Sequence, residues 1–241
     1  MNSHMMFIKA VCGLFFLLCT VDCSLTVVGN LAVVGKPKTF VGTASKPVLA
    51  QIGKLWCGAQ ILGEKTPITY GQFTRLRDGK VFEGGLSEFT TFLDIKEAPA
   101  TVAGKYKCEI RTSDEQIATG FCFIYLPPIL VLPTETQYEE KPDSKVATID
   151  AAPLLASAGD TVRFSCPVYG FPPPYVTWEK DGTTLGSNVS YEGDDIIVNI
   201  SQESEGTYTC TADNSFPMFV DGPAMPHKLV YNQKLVVMNK L

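Results

Sequence analysis

Histidine is the side chain best suited to chemistry at neutral pH, because imidazole serves both as a catalytic base and as a metal ligand. The chain of 241 residues contains two histidines, His4 and His227. His4 lies in the N-terminal leader, so the rest of the chain cannot build a zinc site from several histidines. His227 could serve a catalytic triad, but it lies near the C-terminus and no motif surrounds it. We therefore expect an exposed loop histidine at this position.

The carboxylates offer no better catalytic arrangement. Asp194 and Asp195 are adjacent, and neighbours on a strand point to opposite faces, so a solvated turn is a better interpretation than a shared proton. A calcium loop would need several oxygen ligands at fixed spacing. No glycine-rich phosphate loop, HExxH motif or Cys-x-x-Cys pair occurs. The sequence predicts a protein that is not an enzyme, with no catalytic residues, no metal and no cofactor.

The N-terminus has the character of a secretory signal. Lys9 supplies a positive charge, and an apolar run extends from Ala10 to Cys19. A run of about 10–12 apolar residues suits a signal peptide and is shorter than the ~20 residues that span a bilayer. We expect cleavage near Cys23 and a secreted, extracellular protein; the alternative is a signal anchor.

The charge balance argues against several classes of partner. The chain has 20 Lys and Arg against 25 Asp and Glu, a net charge of -5. Loss of the leader removes Lys9 and Asp22, which leaves the balance unchanged. No basic stripe is visible along the sequence, and backbone phosphates repel an acidic protein. We therefore predict no nucleic-acid partner, no insertion into membranes and poor binding to anionic membranes.

The sequence repeats itself weakly after about 100 residues, the size of one sandwich domain. The stretch Gly104–Cys108 (GKYKC) returns as Gly206–Cys210 (GTYTC), and Asp78-Gly79 returns as Asp181-Gly182. The turn and the downstream Tyr-x-Cys have nearly matched spacing in both copies. One supersecondary plan used twice is the simplest interpretation.

The second copy shows the strand pattern clearly. Val162 and Phe164 alternate with polar residues, as do Ile196, Val198 and Ile200. Such short alternating runs, bounded by turn signals, are typical of antiparallel sandwiches. The sequence therefore predicts an all-β fold.

The second copy resembles an immunoglobulin domain of the intermediate set through Cys166, Trp178, Tyr208 and Cys210. The resemblance implies a Cys166–Cys210 disulfide with Trp178 packed on it. It also implies a tyrosine corner in which the Tyr208 hydroxyl bonds back to the backbone. Ser204 stands where such domains usually have an acidic residue, so an ion pair at that corner is not expected.

The first copy is a more degenerate relative of the same pattern. Cys57 and Cys108 take the two cysteine positions, which implies a second disulfide, and Tyr106 takes the position of Tyr208. No tryptophan occurs on the expected third strand, so either Phe73 or Tyr70 is predicted to fill the core there. We expect two tandem immunoglobulin-like antiparallel β-sandwiches, with Tyr106, Trp178 and Tyr208 in their cores.

Domain boundaries follow from this assignment. We predict a signal peptide over 1–23, a first domain over 24–132, a linker over 133–150 and a second domain over 151–241. The linker is rich in acidic residues and contains two prolines, so it should be extended and bury little.

A signal peptide followed by two immunoglobulin domains is similar to the layout of the nematode zwei-Ig family of small secreted neuronal proteins. The phrases Ala151-Ala152-Pro153 and Val168–Trp178 resemble that family's sequences. The resemblance implies a role in maintaining the positions of axons and neuronal cell bodies. It also implies extracellular or cell-surface protein partners, including other immunoglobulin-superfamily members.

One cysteine remains after the leader and the two implied disulfides are set aside. Cys122 shares a strand face with Ile124, while Phe121 and Phe123 take the other face. An inward Cys122 would be buried, unpaired and inert, which is the outcome we favour. An outward Cys122 would favour intermolecular pairing. A leader cleaved before Cys23 would allow a Cys23–Cys122 disulfide.

The long connection Asn214–Lys228 is the candidate source of contact residues. It carries Phe216, Met218 and Phe219 among prolines and glycines, and loops at the end of a sandwich are frequent binding sites. The alternative is that these side chains fold back onto the domain.

Two Asn-x-Ser sequons, at Asn188 and Asn199, fit a secreted glycoprotein. Asn199 alternates with inward residues, so we expect it to face solvent.

These features favour an extracellular protein-binding module of the adhesion or signalling type. A structural matrix component or a secreted immune-type recognition protein is the alternative. A secreted enzyme is the third hypothesis, and no site can be assembled for it.

Overall fold

The computed structural model describes residues 25–29, 33–133, 137–142, 146–186, 189–219 and 222–238. Within these ranges it is built from strands, with short 3-10 helices at Ala100–Val102 and Gln202–Ser204. The strands of the N-terminal half are β1 (Leu25–Gly29), β2 (Val33–Val34), β3 (Lys36–Pro37), β4 (Val41–Thr43), β5 (Leu49–Gln51), β6 (Lys54–Ile61), β7 (Glu64–Thr66), β8 (Ile68–Arg75), β9 (Val81–Glu83), β10 (Gly85–Leu86), β11 (Thr90–Asp94), β12 (Glu97–Pro99), β13 (Gly104–Thr112) and β14 (Ile117–Leu132).

The strands of the C-terminal half are β15 (Tyr138–Pro142), β16 (Val146–Ala151), β17 (Leu154–Ser157), β18 (Thr161–Phe164), β19 (Val168–Phe171), β20 (Tyr175–Lys180), β21 (Thr183–Thr184), β22 (Val189–Glu192), β23 (Asp195–Asn199), β24 (Gly206–Pro217) and β25 (Ala224–Met238).

The described residues form two compact units. Unit 1 comprises residues 25–29, 55–93 and 105–122, and unit 2 comprises the others. In unit 1, one sheet has the order β1-β6-β11-β10, and a second sheet contains β9, β8, β13 and the start of β14. Strand alternation explains its core: on β13, Tyr106, Cys108 and Ile110 are buried and the residues between them are not.

Unit 2 has a wide sheet in the order β15-β16-β25-β24-β20-β21, with β17 also paired to β25, and a second sheet in the order β18-β23-β22. Its buried cluster includes Phe164, Trp178, Ile196, Tyr208 and Leu229. On β23, Ile196 and Val198 face inward, as the alternation predicted.

The core of unit 2 also takes residues from the N-terminal half of the chain. The predicted division at residue 132 coincides with the end of β14, yet Val41, Leu130 and Leu132 belong to the same buried cluster as Trp178. β4 pairs in parallel with the end of β14, and Leu130 N donates to Phe40 O at 2.7 Å. Long-range strand pairing of this kind leaves no local sequence signal.

The acidic stretch expected to be an extended linker contains two strands. β15 pairs with β16, and β16 pairs in parallel with β25. Ala147 and Ile149 are buried, because their positions on β16 face inward. The charge of this segment suggested a linker, whereas the spacing of Ala147 and Ile149 is that of a strand with one buried face.

Each disulfide cysteine on a central strand faces an aromatic residue across the strand pair. Cys210 lies opposite Trp178, and Cys108 lies opposite Phe73. Phe73 is fully buried, whereas Tyr70 is half-buried on the other face. Phe73 therefore takes the place of the tryptophan in unit 1.

The tyrosine corner implied by the resemblance is present in unit 2. The Tyr208 hydroxyl donates to Ser204 O at 3.0 Å, and Tyr208 is buried. Tyr106, its counterpart in unit 1, is also buried, and burial raises its pKa above the usual value.

We predict that Phe73→Ala destabilises unit 1 as Trp178→Ala destabilises unit 2. Truncating a buried aromatic side chain leaves a cavity and costs about 3–5 kcal/mol of the free energy of unfolding. Thermal unfolding of the purified variants measures the loss. Tyr175→Ala, at a side chain that is 73% exposed, is the control and should stay within about 0.5 kcal/mol of wild type. Equal melting of Phe73→Ala and Tyr175→Ala would contradict the core role of Phe73.

Candidate protein-binding site

Among the described residues, two disulfides hold the scaffold on which a binding surface must rest. Cys57 is bonded to Cys108 across 51 residues, and Cys166 to Cys210 across 44 residues. In the chain-entropy model each loop closure contributes about 4 kcal/mol by restricting the unfolded chain.

Cys122 lies on β14 and is fully buried without a disulfide partner. Its thiol donates to Trp56 O at 3.4 Å, and burial raises the pKa of the thiol to about 12. The inward orientation is therefore the one the structure adopts. Cys23, the partner in one alternative, lies outside the described residues.

Of the two sequons, Asn188 lies outside the described residues, and Asn199 lies on β23. Asn199 ends β23 with its side chain exposed, and its Oδ1 accepts a hydrogen bond from Thr161 Oγ1 at 3.2 Å.

The aspartate pair is only partly the solvated turn expected from the sequence. Asp194 is exposed, and its backbone carbonyl accepts a hydrogen bond from Trp178 Nε1 at 2.8 Å. Asp195 is half-buried and accepts hydrogen bonds from Arg163 Nε at 2.8 Å and Ser165 Oγ at 3.1 Å. Asp195 thus joins β18 to β23, which is a structural role.

The predicted contact loop is largely a β-hairpin. β24 and β25 stay paired up to Pro217 and Ala224, so the described residues 218, 219, 222 and 223 lie beyond the paired strands, at the tip. Residues 220–221 lie outside the described residues. At the tip, Met218 is 43% exposed and Phe219 is 62% exposed. Because Gly222 carries no side chain, the Phe219 ring can pack against its backbone; a Cβ there would come within 2.8 Å of the ring.

Phe216, one of the predicted contact residues, is buried and not exposed. It is 1% exposed, because its position on β24 faces inward. Its ring stacks on His227 with centroids 3.9 Å apart, and it lies 5.2 Å from the ring of Tyr125. Tyr125 in turn stacks on Phe171 at 6.0 Å. Phe216 therefore anchors the base of the hairpin and cannot contact a partner.

His227 is likewise not the exposed loop histidine expected from the sequence. It lies on β25, half-buried against Phe216. Burial lowers its pKa and outweighs the opposing effects of a hydrogen bond with the Phe216 backbone and of the Asp213 charge. The lowered pKa favours the neutral imidazole at neutral pH, and the ring acts as a flat packing group.

Asn214 provides a second anchor for the hairpin. Its Nδ2 donates to Leu126 O at 2.9 Å and to Pro172 O at 2.8 Å. Gly170 makes room for this side chain, since a Cβ there would lie 3.0 Å from the Asn214 nitrogen. The hairpin base is thus held by buried hydrogen bonds as well as by stacked rings.

A second surface, which the sequence did not predict, carries a chain of side-chain hydrogen bonds. On the outer face of β8 and β13, Tyr70 OH donates to Gln72 Oε1 at 2.7 Å, and Gln72 Nε2 donates to Glu109 Oε1 at 3.3 Å. Lys107 Nζ reaches Glu109 at 3.3 Å, and the Arg111 guanidinium lies 5.7 Å from the centre of the Tyr70 ring. Alternation along β8 places Tyr70 and Gln72 on the face opposite to the buried Phe73. Which residues of β13 lie beside them depends on the register between the two strands, and the sequence does not show that register.

Among the described residues, no helix has the length and apolarity that crossing a membrane requires. In the same part of the chain, no group of three or more His, Cys, Asp and Glu side chains is placed to hold a metal ion.

Comparison with known proteins decides the family. The family model described as "Zwei immunoglobulin domain protein, N-terminal" matches residues 23–125, and the immunoglobulin domain model matches residues 146–214. Zwei Ig domain protein zig-7 of Caenorhabditis elegans is 44% identical over 229 residues, which cover 92% of this chain and 96% of that protein. The chain belongs to the zwei Ig domain protein family. The predicted family is therefore confirmed.

Other relatives are more distant from this zwei Ig protein. Zig-1 of Caenorhabditis elegans is 28% identical over 167 residues, covering 67% of this chain and 61% of that protein. Among solved structures, a titin immunoglobulin tandem covers 89% of this chain and all of its own length, with 15% identity and a TM-score of 0.46. The all-β immunoglobulin-type fold predicted from the sequence is confirmed.

We predict that Cys122 of this zwei Ig protein resists thiol reagents in the native state. With a pKa of about 12, the thiolate is a negligible fraction near pH 8, and the sulfur is also buried. Maleimide labelling followed by mass spectrometry should detect no adduct before denaturation and one adduct at Cys122 afterwards. Cys122→Ala is the control and should lack that adduct under both conditions. Rapid native labelling, or a reducible dimer abolished by Cys122→Ser, would contradict the prediction.

Proposed function

We propose that this protein is a secreted recognition protein that binds another extracellular or cell-surface protein through the tip of the β24–β25 hairpin. The observation that carries the proposal is the contrast between the ends of the hairpin. Phe216 is buried at its base, while Met218 and Phe219 are exposed two and three residues further on.

The hairpin tip has the composition of an interface core. Phenylalanine and methionine are enriched at protein–protein interfaces, and methionine adapts its shape to a partner. Met225, at the start of the returning strand, adds a further exposed apolar side chain. A fixed base limits the entropy lost on binding, because the partner does not have to order the base of the hairpin.

Extracellular action is supported by the chemistry of the scaffold. Disulfides persist in oxidising compartments, and both units carry one. The leader over residues 1–23, which we expect to be a signal peptide, agrees with the same compartment. The partner we infer is a protein of the cell surface or matrix, including other members of the immunoglobulin superfamily.

The binding role is tested with a tip variant, Met218→Ser with Phe219→Ser. The tagged secreted protein is first screened against an array of defined extracellular proteins, and affinity for each ligand found is then measured by surface plasmon resonance. Loss of two anchor side chains should weaken binding by about tenfold or more, since a single hot-spot side chain contributes about 1–4 kcal/mol.

The matched control is Ile117→Ser with Leu155→Ser, at side chains that are 59% and 63% exposed. The control should bind as wild type does. If the tip variant binds every ligand with wild-type affinity, the hairpin is not the recognition site.

We further infer that the protein helps to maintain the positions of axons and neuronal cell bodies, the role that the family resemblance implies. Removing the protein from the animal that produces it should leave initial axon outgrowth intact and displace axons later. Imaging labelled neurons at hatching and in adults measures this. Normal positions at both stages would refute the neuronal role and leave the binding proposal standing.

A further inference from the structure

Three tyrosines are exposed in the described part of the chain. Tyr138 is 45% exposed, Tyr175 is 73% exposed and Tyr191 is 63% exposed. Within the described residues none of these three hydroxyls makes a hydrogen bond, whereas those of Tyr70 and Tyr208 each donate one to a neighbouring residue. An exposed phenol without a hydrogen-bond partner is accessible to a modifying enzyme, and a bonded or buried one is not.

Tyr191 stands beside a tight turn that carries several carboxylates. β22 ends at Glu192, Gly193 and Asp194 form the turn, and β23 begins at Asp195. Gly193 has a φ of +64°, which residues with a side chain rarely adopt. Carboxylates therefore stand at the first, third and fourth positions after the tyrosine, and their proximity to it follows from the chain itself.

The turn keeps an excess of negative charge although one cation lies close to it. Arg163 Nη1 lies 2.8 Å from Glu192 Oε2, and Arg163 Nη2 lies 2.8 Å from Asp195 Oδ2. A single guanidinium can offset only one of these two charges, and Asp194, the third carboxylate, is exposed. Among these four groups, two negative charges remain in excess.

β22 is also easy to reach, because it forms one edge of the sheet β18-β23-β22. Ser190, Tyr191 and Glu192 are all exposed, although neighbours on a strand point to opposite faces. An enzyme that reads a short extended segment can therefore contact the tyrosine and the adjacent carboxylate from the free edge at the same time.

The other two exposed tyrosines lack this arrangement. Tyr175 lies opposite Asp213, whose carboxylate pairs with Lys228 at 3.5 Å, and the first acidic residue after Tyr175 in the sequence is four positions away. Tyr138 precedes two glutamates, but Lys141 follows them on the same strand and offsets one of the two charges. Tyr191 therefore combines high exposure with the largest excess of neighbouring negative charge.

We propose that Tyr191 is modified by tyrosine O-sulfation while the protein passes through the secretory pathway. The phenolic oxygen attacks the sulfur of an adenosine phosphosulfate donor, so that an oxygen–sulfur bond forms and the bond from sulfur to the donor's phosphate oxygen breaks. The adenosine bisphosphate leaves with the bonding electrons, and the phenolic proton passes to a base of the transferase. The product carries a permanent negative charge in place of a neutral hydroxyl.

The carboxylates select the tyrosine through electrostatics. A transferase that binds such an anionic donor needs a basic active site, so a segment with an excess of negative charge is attracted to it and held there. The proposal rests on secretion, which is part of the proposed function, but not on the hairpin tip.

Mass spectrometry of the full chain, recovered from the medium of animal cells and freed of N-linked glycans, tests the modification. The peptide that contains Tyr191 should carry one sulfuryl group, which mild acid removes and phosphatase does not. Tyr191→Phe keeps the ring and should lack the group. The peptide that contains Tyr175 is the internal control and should be unmodified, although Tyr175 is the more exposed of the two.

A pair of charge variants tests the carboxylates with the hydroxyl kept. Glu192→Gln with Asp194→Asn should lower the sulfated fraction about fivefold, since two exposed charge contacts together supply about that factor. Glu83→Gln with Glu88→Gln removes the same charge from exposed side chains of unit 1 and should be sulfated as wild type is. An equal loss in both variants, or in neither, would show that the local carboxylates do not select Tyr191.

Several results would overturn the proposal: an unmodified Tyr191 in protein from the medium, a group that phosphatase removes, or sulfation of Tyr138 or Tyr175 in its place. Absence of the protein from the medium would refute secretion and with it this modification. Met218→Ser with Phe219→Ser should be sulfated as wild type is, and Tyr191→Phe should bind ligands of the hairpin tip with wild-type affinity. Failure of the tip as a binding site is thereby distinguished from failure of the sulfation site.

Discussion

The pairing of a disulfide cysteine with an aromatic residue on the neighbouring strand is the constraint on which the rest of the structure depends. Cys108 faces Phe73, and Cys210 faces Trp178. A slip of one residue between those strands would turn every side chain to the opposite face. The disulfide and the buried ring both resist that slip, because either would have to leave the core. The outer faces of the sheets are therefore as sharply specified as the cores.

The candidate contact surfaces follow directly from this fixed register. Inward Phe73 leaves Tyr70 and Gln72 on the outer face of β8, where they join a chain of hydrogen bonds to Glu109. In unit 2 the same alternation places Phe216 in the interior, and β24 then ends at Pro217, just before the exposed Met218. The buried Phe216 thus fixes the base of the hairpin, whose tip carries the exposed apolar side chains.

The second core depends on chain segments far from it in sequence. β14 runs on to Leu132, pairs with β4, and contributes Leu130 to the cluster that surrounds Trp178. Buried aliphatic side chains of this size each contribute about 1.5–3 kcal/mol when they are removed from water. Residues 151–241, expected to be a separate domain, therefore lack part of the core that stabilises them in the whole chain.

The sequence by itself determined the elements with strong local signals. Repeated Gly-x-Tyr-x-Cys motifs, alternating strands and the resemblance carried by Trp178 were sufficient to predict the family and an all-β fold of immunoglobulin type. Tertiary structure alone decided between Phe73 and Tyr70 for the core of unit 1 and showed that Phe216 is buried. It also placed strands in the acidic stretch and paired Leu76 with Lys105. Alternation states which residues of one strand share a face, but it does not state which strands lie side by side. That choice depends on long-range hydrogen bonds and close packing, which no short stretch of sequence encodes.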